Sequence, residues 1–345
     1  MRPLSFLQRV WRFVLRENLH RLFLCIAFFA FLGTLGLAAF EPEMSMLDAL
    51  WWSLVTMTTV GYGDISPATA GGRAMAVLVM FFGIGLLGTL SATLAGVLVE
   101  RKMKEDRGMS SYAFKAHIIL CRWNHRARII LSELRAERST AKVPVVLIAN
   151  EASKPLDDED LFFVQGEPNE ENLNKANLAQ AKTVILLGED TLHPEQRDAQ
   201  VVLTALAVES INPSAYTIVE LVDAANIRHC RRAKANEIIV ASEIGSRLMA
   251  RACVNHGITE VVSELLRVGE GNELYKLSVP PSLVGKTYLD VLTELKREHD
   301  TIVVAVQKGE EGRVLSNPRA DSVLEAEDLL IVIAFHYPEI GGVRR

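Results

Sequence analysis

The chain has 345 residues, enough for two or three compact units. Its 37 Lys+Arg against 42 Asp+Glu give a formal net charge of −5, without the basic excess expected of a nucleic-acid binder, so no nucleic-acid partner is expected. A mean hydropathy of +0.18 beside 23% charged residues implies two populations, a long apolar segment and an ordinary globular one.

Leu22 to Phe40 carries no charge, and its 19 residues cover about 28 Å as a helix, one hydrocarbon thickness. The run is too long for the apolar core of a signal peptide, and no A-x-A site follows it. Ala74 to Val99 is a second uncharged run, 26 residues and roughly 39 Å. Both read as membrane spans in a lipid bilayer. Arg2, Arg9, Arg12, Arg16 and Arg21 precede the first, and Arg101, Lys102, Lys104 and Arg107 follow the second. Between them stand Glu41, Glu43, Asp48 and Asp64, with Arg73 the only base. Basic flanks stay on the cytoplasmic side, so both termini are expected in the cytoplasm of a multi-pass protein of the inner (plasma) membrane.

The segment between the spans carries the chemistry. Ser45 and Asp48 form an S-x-x-D helix start, and Met46 to Met57 is apolar enough for a short helix. Thr58-Thr59-Val60-Gly61-Tyr62-Gly63-Asp64 comes next. Thr59 to Gly63 reads TVGYG, and in this setting the chain resembles the potassium channels. Stripping water from K+ requires replacement oxygens at matched distance. The backbone carbonyls of Thr59, Val60, Gly61 and Tyr62, with the Thr59 hydroxyl, supply stacked rings when four chains meet. Lining up successive carbonyls needs unusual dihedrals, which Gly61 and Gly63 tolerate. The short helix would aim its partly negative end at the cavity, favouring a cation.

One chain supplies one filter segment, so a homotetramer is expected. Trp51 and Trp52 read either as a stiff cuff around Tyr62 or as interfacial aromatics. The resemblance implies that Asp64, at the outer mouth, is hydrogen-bonded to an aromatic of the cuff. It also places the gating hinge of the second span at Gly83. Gly85 and Gly88 follow closely, and close helix packing is the alternative reading for all three. With no third span and no arginine-repeat helix, no voltage sensor is expected.

From His117 the pattern alternates between strands and helices. Strands are expected at 117–121, 143–149, 161–164, 183–187, 216–221 and 237–240, with a helix over about 124–138 and helical stretches between most of the others. That order predicts a doubly wound parallel sheet. Helices at 242–256 and 259–268, joined at Gly257, lead to a smaller unit with strands near 274–279, 301–307 and 329–335. Over residues 116 to 338 the chain resembles the RCK domain (regulator of K+ conductance, TrkA-N and TrkA-C parts). The resemblance rests on Cys121-Arg-Trp-Asn-His-Arg-Ala127, Val164-Gln-Gly-Glu-Pro168, Ala235-Asn-Glu-Ile-Ile239, Gly245-Ser-Arg-Leu-Met249 and Leu283-Val-Gly-Lys-Thr287.

The fold class expected is therefore a membrane α-helical pore followed by an α/β Rossmann-like RCK domain and a small α+β C-terminal subdomain. The divisions are 1–100 for the pore, 101–116 for a charged linker, 117–241 for the Rossmann-like part, 242–268 for a helical crossover and 269–345 for the last subdomain. The family resembled is the prokaryotic ligand-gated potassium channels, including a calcium-gated archaeal member. In it RCK domains pair through the crossover and form an octameric gating ring that pulls on the inner helices. Four additional soluble RCK copies would be needed, and Met109 reads either as their internal start or as an ordinary linker methionine.

The effector is less legible. A dinucleotide site needs G-x-G-x-x-G after the first strand, and Arg122 and Trp123 stand there instead. Arg122, Asn124, Arg126 and the helix start would hold a phosphate in another pose. The resemblance places Ca2+ ligands at the ends of the fourth and fifth strands. Glu220 matches one, Val222 departs from another, and Glu189, Asp190 and Asp223 stand near enough in sequence to substitute. The acidic run Asp157 to Asp160 reads as a solvated helix start, and histidines such as His125, His229 and His256 would allow proton sensing. K+ is the expected permeant ion, and Ca2+ or a nucleotide the expected effector. Cys25, Cys121, Cys230 and Cys253 show no disulfide or zinc spacing and read as small buried apolar residues in a reducing compartment. An uptake-transporter subunit is the second functional reading. A membrane-tethered oxidoreductase is the third, weakened by the missing glycine fingerprint and the lack of a catalytic constellation, so no enzyme activity is expected.

Overall fold

The computed structural model describes residues 14–15, 18–309, 312–338 and 340. Arg2, Arg9, Arg12 and Arg16 of the charge argument lie outside the described residues. The chain divides into two compact units, one up to Lys104 and one from Glu105 onward.

In the first unit, α1 (Leu19–Phe40), α2 (Met46–Met57) and α3 (Ala70–Asp106) follow one another. The α2 start is the one its sequence calls for: Ser45 Oγ accepts from Asp48 N at 3.1 Å and donates to Asp48 Oδ2 at 2.7 Å. The three helices meet at Gly33 of α1. A Cβ there would lie 2.6 Å from Val79 Cγ2 and 2.9 Å from Ser53 Oγ, so only glycine admits this approach. Leu37, Ala49, Trp52, Met57 and Val79 fill the shared core. Phe23, Leu24, Phe28 and Phe31 of α1 stay exposed, an apolar face suited to lipid.

Glu41, just past α1, is buried. Its Oε1 accepts from Thr69 N at 2.8 Å and Thr69 Oγ1 at 2.9 Å, while Thr69 Oγ1 in turn accepts from Gly72 N at 2.9 Å. One carboxylate thus ties the end of α1 to the capped start of α3, where negative charge meets unpaired amides. α3 runs 37 residues, about 56 Å, well past the uncharged stretch.

The second unit opens with a strap rather than a loose linker. Residues expected to form a charged tether are helical as far as Asp106, whose carbonyl accepts from Lys154 N at 2.7 Å. Gly108 O then accepts from Gln165 N at 3.1 Å, Tyr112 N donates to Lys175 O at 2.8 Å, and Ala116 N donates to Gln180 O at 2.8 Å. The Tyr112 hydroxyl donates to Phe163 O at 3.0 Å and accepts from Phe163 N at 3.4 Å. That single hydroxyl serves both backbone groups of a residue on the sheet's edge strand, which would otherwise be free to pair with another chain. Gly108, at φ 67°, lies so close to the strand that a Cβ would come 2.3 Å from Gln165 N.

Beyond the strap come β1 (Ile118–Cys121), α4 (His125–Ala136), β2 (Val145–Ala149), β3 (Leu161–Gln165), α5 (Glu170–Lys175), β4 (Thr183–Leu186), α6 (Pro194–Ile211), β5 (Tyr216–Leu221), α7 (Ile227–Arg232) and β6 (Glu237–Val240). The strands form one parallel sheet in the order β3-β2-β1-β4-β5-β6. Both faces are covered, which is why β1, β2 and β4 read as continuous apolar runs rather than alternating ones. His117, just before β1, is fully buried with Nε2 2.8 Å from Ala176 O, and burial pushes its pKa below the ordinary histidine value.

α8 (Ala241–Val254) and α9 (Ile258–Leu266) turn about Gly257 at φ 88°, and neither contains a buried residue. β7 (Glu273–Ser278), α10 (Tyr288–His299), β8 (Ile302–Gln307), β9 (Val314–Ser316) and β10 (Leu329–Ala334) complete the unit. The second sheet is antiparallel, β7-β10-β8-β9, and Tyr288 of α10 donates to Val303 O at 2.8 Å. β9 has only three residues and no continuous apolar run, so periodicity did not predict it.

Candidate functional site

The candidate filter loop hangs from the C-terminal end of α2. Val60 N and Gly61 N both donate to Val55 O, at 3.1 and 3.3 Å, and Thr59 N donates to Thr56 O at 3.0 Å. Thr59, Gly61 and Gly63 have φ of 62°, 54° and 74°, whereas Val60 and Tyr62 between them do not. In a regular strand, successive carbonyls point to opposite sides. Alternating the hand of φ turns every second peptide over and brings successive carbonyls to one side. Gly61 and Gly63 accept this at no steric cost. Thr59 does not: a β-branched residue held left-handed costs on the order of 1–3 kcal/mol, and sequence reasoning did not foresee it.

Behind the loop, Trp51 stacks on Tyr62 with ring centroids 5.9 Å apart and planes 9° from parallel. Its indole Nε1 donates to Asp64 Oδ2 at 3.0 Å. Trp51 is thus the aromatic that bonds Asp64, while Trp52 is buried in the core the three helices share and lines a cavity of about 380 Å3 beside the loop. Val60 and Tyr62 remain 54% and 67% exposed in the single chain. Irregular backbone of this kind survives at membrane depth only when protein surrounds it or it lines a water-filled path. Gly83 packs against α2, where a Cβ would sit 2.4 Å from Met57 Cγ. Nothing stands within 4 Å of a Cβ at Gly85 or Gly88, and α3 is continuous through all three.

The second candidate site lies at the carboxyl ends of β1 and β4, where strand order reverses and doubly wound sheets bind ligands. Arg122 occupies the turn after β1 with φ 77°, a conformation suited to glycine. Its nearly buried guanidinium pairs with Glu167 at 2.9 Å and Glu189 at 3.1 Å, and Nη2 donates to Gln200 Oε1 at 2.7 Å. Arg126 Nη2 donates to Asp190 Oδ1 at 2.7 Å, and its Nε stands 2.8 Å from Glu220 Oε1, an ion pair without hydrogen-bond alignment. Burial alone would lower Arg126, but its hydrogen bond to Asp190 and the charges of Glu220 and Asp190 hold it above the ordinary arginine value. Arg197 reaches Asp190 at 3.0 Å and Glu220 at 3.2 Å, lying across Gly188 where a side chain would block it.

Of the effector candidates, Arg122 and Glu189 therefore fall in one ion-pair group and Asp190 and Glu220 in a second beside it, and Asn124 borders both. Asn124 caps α4 through Ala127 N and donates to Gly188 O. Asp223 has a local task, its Oδ1 accepting from Ala225 N at 2.8 Å. Sequence reasoning missed Glu167, Arg197, Gln200 and Asp198. The last is a buried α6 carboxylate that accepts from Val222 N, Asp223 N and Asn226 Nδ2 at 2.8 to 3.0 Å. No spacing rule links these positions, because the turns that unite them are far apart in sequence. Among the described residues no three His, Cys, Asp or Glu side chains form a group able to hold a metal. Cys121 is buried and its thiol pushed up to about 12, and Cys230 is buried too, whereas Cys25 and Cys253 are exposed, unlike the expectation for all four.

The family model of ion channels matches residues 21–100. That of the RCK domain of slowpoke-like calcium-activated potassium channels matches 113–219. One for Castor and Pollux, described as part of a voltage-gated ion channel, matches 242–339. The calcium-gated potassium channel TvoK of Thermoplasma volcanium is 29% identical over 350 residues, 99% of this chain and 98% of that protein. The Bacillus subtilis protein YugO, which carries a potassium-channel name, is 30% identical over 295 residues, 85% of this chain and 89% of its own. Among solved structures, the GsuK channel superposes with a TM-score of 0.51 at 18% identity, over 94% of this chain and 57% of that one, a likeness of fold. These relatives are channels, not enzymes. By its identity to YugO across most of both sequences, the chain belongs to the potassium channels, membrane proteins in which a two-helix pore is joined to a ligand-responsive RCK domain.

Proposed function

We propose that four copies of the chain surround a K+-selective pore lined by the carbonyls of Thr59, Val60, Gly61 and Tyr62 and the Thr59 hydroxyl. The alternating φ of Thr59 to Gly63 carries this reading, since it turns successive oxygens to one side at the end of a helix whose negative pole favours a cation. Both termini lie in the cytoplasm and the pore spans the plasma membrane, as the basic flanks of the spans support. Opening bends α3 within the glycine run that begins at Gly83, with Gly85 and Gly88 free of the contact that Gly83 makes to Met57.

The effector acts at the charged crevice. Ca2+ and a nucleotide would both have to break these ion pairs, from opposite sides: a cation by drawing Glu189, Asp190 and Glu220 off their arginines, a phosphate by drawing Arg122, Arg126 and Arg197 off their carboxylates. The calcium-gated relative TvoK favours Ca2+. Translation from Met109 would supply soluble copies for an octameric ring, and such a product keeps Tyr112 and Phe114 of the strap.

Purified full-length protein in planar bilayers tests the proposal. K+-over-Na+ single-channel steps are expected, with open probability changing more than about tenfold when Ca2+ or ADP is added to the RCK side. Steps that do not discriminate K+ from Na+ would refute the filter assignment. Selective steps that ignore both additives would refute the effector assignment alone.

A further inference from the structure

Away from the filter and the crevice, the second unit holds an open cleft of about 850 Å3, within the range of roughly 300–1,000 Å3 typical of small-molecule sites. One wall is the end of α4 with the residues after it, and the other is formed by β7 and the residues after β10. Val268 and Gly269, just past α9, complete the lining. Glu133 of α4 accepts from Val268 N at 3.1 Å, so a single hydrogen bond ties the first wall to the turn that leads into the second. None of the lining residues lies in α8 or α9, so pairing of copies through those helices does not itself use these walls.

The groups that face the cleft divide into occupied and free. Glu273 Oε1 accepts from Gly269 N at 2.8 Å, and Glu137 Oε1 accepts from Ser139 N at 3.2 Å, so both carboxylates are engaged by backbone amides. The end of α4 is closed as well, with Thr140 Oγ1 donating to Leu134 O at 2.7 Å and Ala141 N to Glu137 O at 2.8 Å, which offsets its negative pole. Arg138, Ser139 and His336 stand differently. All three are exposed, and among the described residues the Arg138 guanidinium, the Ser139 hydroxyl and the His336 ring nitrogens have no ion pair or hydrogen bond. Beside them Tyr275 and Tyr337 meet edge to face, centroids 5.6 Å apart and planes at 79°, and Tyr275 is nearly buried. Most of the lining is thus aromatic or aliphatic surface, with three free donors at one place.

We propose that this cleft is a second effector site, separate from the crevice at β1 and β4, and that it takes a nucleoside monophosphate. A phosphate monoester carries about −1.5 to −2 charge and three acceptor oxygens, one for each free donor, and its pairing with Arg138 is charge-assisted. The base lies against Tyr275 and Tyr337, whose rings favour a planar aromatic partner. A ligand seated there touches both walls, so it favours the arrangement in which α4 and the second sheet stand at this distance. The inference does not depend on the fourfold pore.

The test is photolabelling of the full-length protein in detergent with 8-azido-AMP, followed by peptide mapping. Saturable label is expected on peptides containing Tyr275 or Tyr337. Unlabelled AMP should suppress it by about tenfold or more, and adenosine at the same concentration by much less, since the phosphate supplies the charge-assisted contacts. Arg138→Glu, which puts a carboxylate where the phosphate would sit, should also cut the label by about tenfold or more at an unchanged Tm, whereas Arg122→Ala, in the crevice, should leave it as in wild type. Label confined to the peptide containing Trp123, or no saturable label, overturns the proposal. So does wild-type labelling of Arg138→Glu, or an equal loss in Arg122→Ala. Adenosine competing as well as AMP overturns it without recourse to any variant.

Discussion

Replacing Gly61 with alanine isolates backbone conformation from packing. Nothing lies within 4 Å of a Cβ built at Gly61, so within the chain the methyl group meets no obstacle. What it meets is φ of 54°, where an L-residue costs about 1–2 kcal/mol relative to glycine. In the proposed tetramer, four copies raise this to about 4–8 kcal/mol against the aligned-carbonyl state, a population change of roughly 10^3- to 10^6-fold. The assay is single-channel recording of Gly61→Ala in symmetrical K+, with reversal potentials under K+/Na+ gradients. K+ currents should fall below 1% of wild type while the tetramer still assembles, because α1, α2 and α3 pack without this residue. Gly61→Ala channels with wild-type open probability and unchanged selectivity would show that the left-handed turn does not align the oxygens.

Two further predictions concern the RCK domain. Arg122→Ala loses three partners and keeps the left-handed backbone, whereas Arg122→Gly loses the same partners and relieves the backbone. The glycine variant should therefore be the more stable of the two by about 1 kcal/mol in urea unfolding, and equal stabilities would refute the strain at this turn. His117 is held neutral by burial, with its folded pKa below the unfolded one. Its contribution is complete above the unfolded value near pH 6.5 and is lost as pH falls from there towards the folded pKa. Tm should drop on acidification below about pH 6.5, and His117→Gln should flatten that slope; parallel curves for the two proteins would assign the titration elsewhere.

Much of this architecture was legible because it is local. Ser45 and Asp48 announced the start of α2, the apolar runs announced β1, β2 and β5, and Gly257 marked the turn between α8 and α9. The Trp51 to Asp64 bond followed from resemblance, since nothing in the spacing of 13 residues dictates it. What stayed hidden was long-range or conformational. Glu41 and Thr69 lie 28 residues apart and meet only because α1 and α3 pack side by side. Arg122 looked like an obstacle to a nucleotide, but it is an arginine in a glycine's conformation, held by Glu167 and Glu189 from turns after other strands. Glu220 looked like a metal ligand, yet Arg126 and Arg197 claim its oxygens.

The pinned segment between Asp106 and Ala116 bears on how far anything must travel. Eleven free residues stretch to about 37 Å, and a leash of that length has to be drawn taut before it moves what it holds. Here Asp106, Gly108, Tyr112 and Ala116 are each fastened to the sheet's flank, so the play is gone. A displacement of β3 and of the loop before it therefore carries Asp106 along directly, with no slack to take up first.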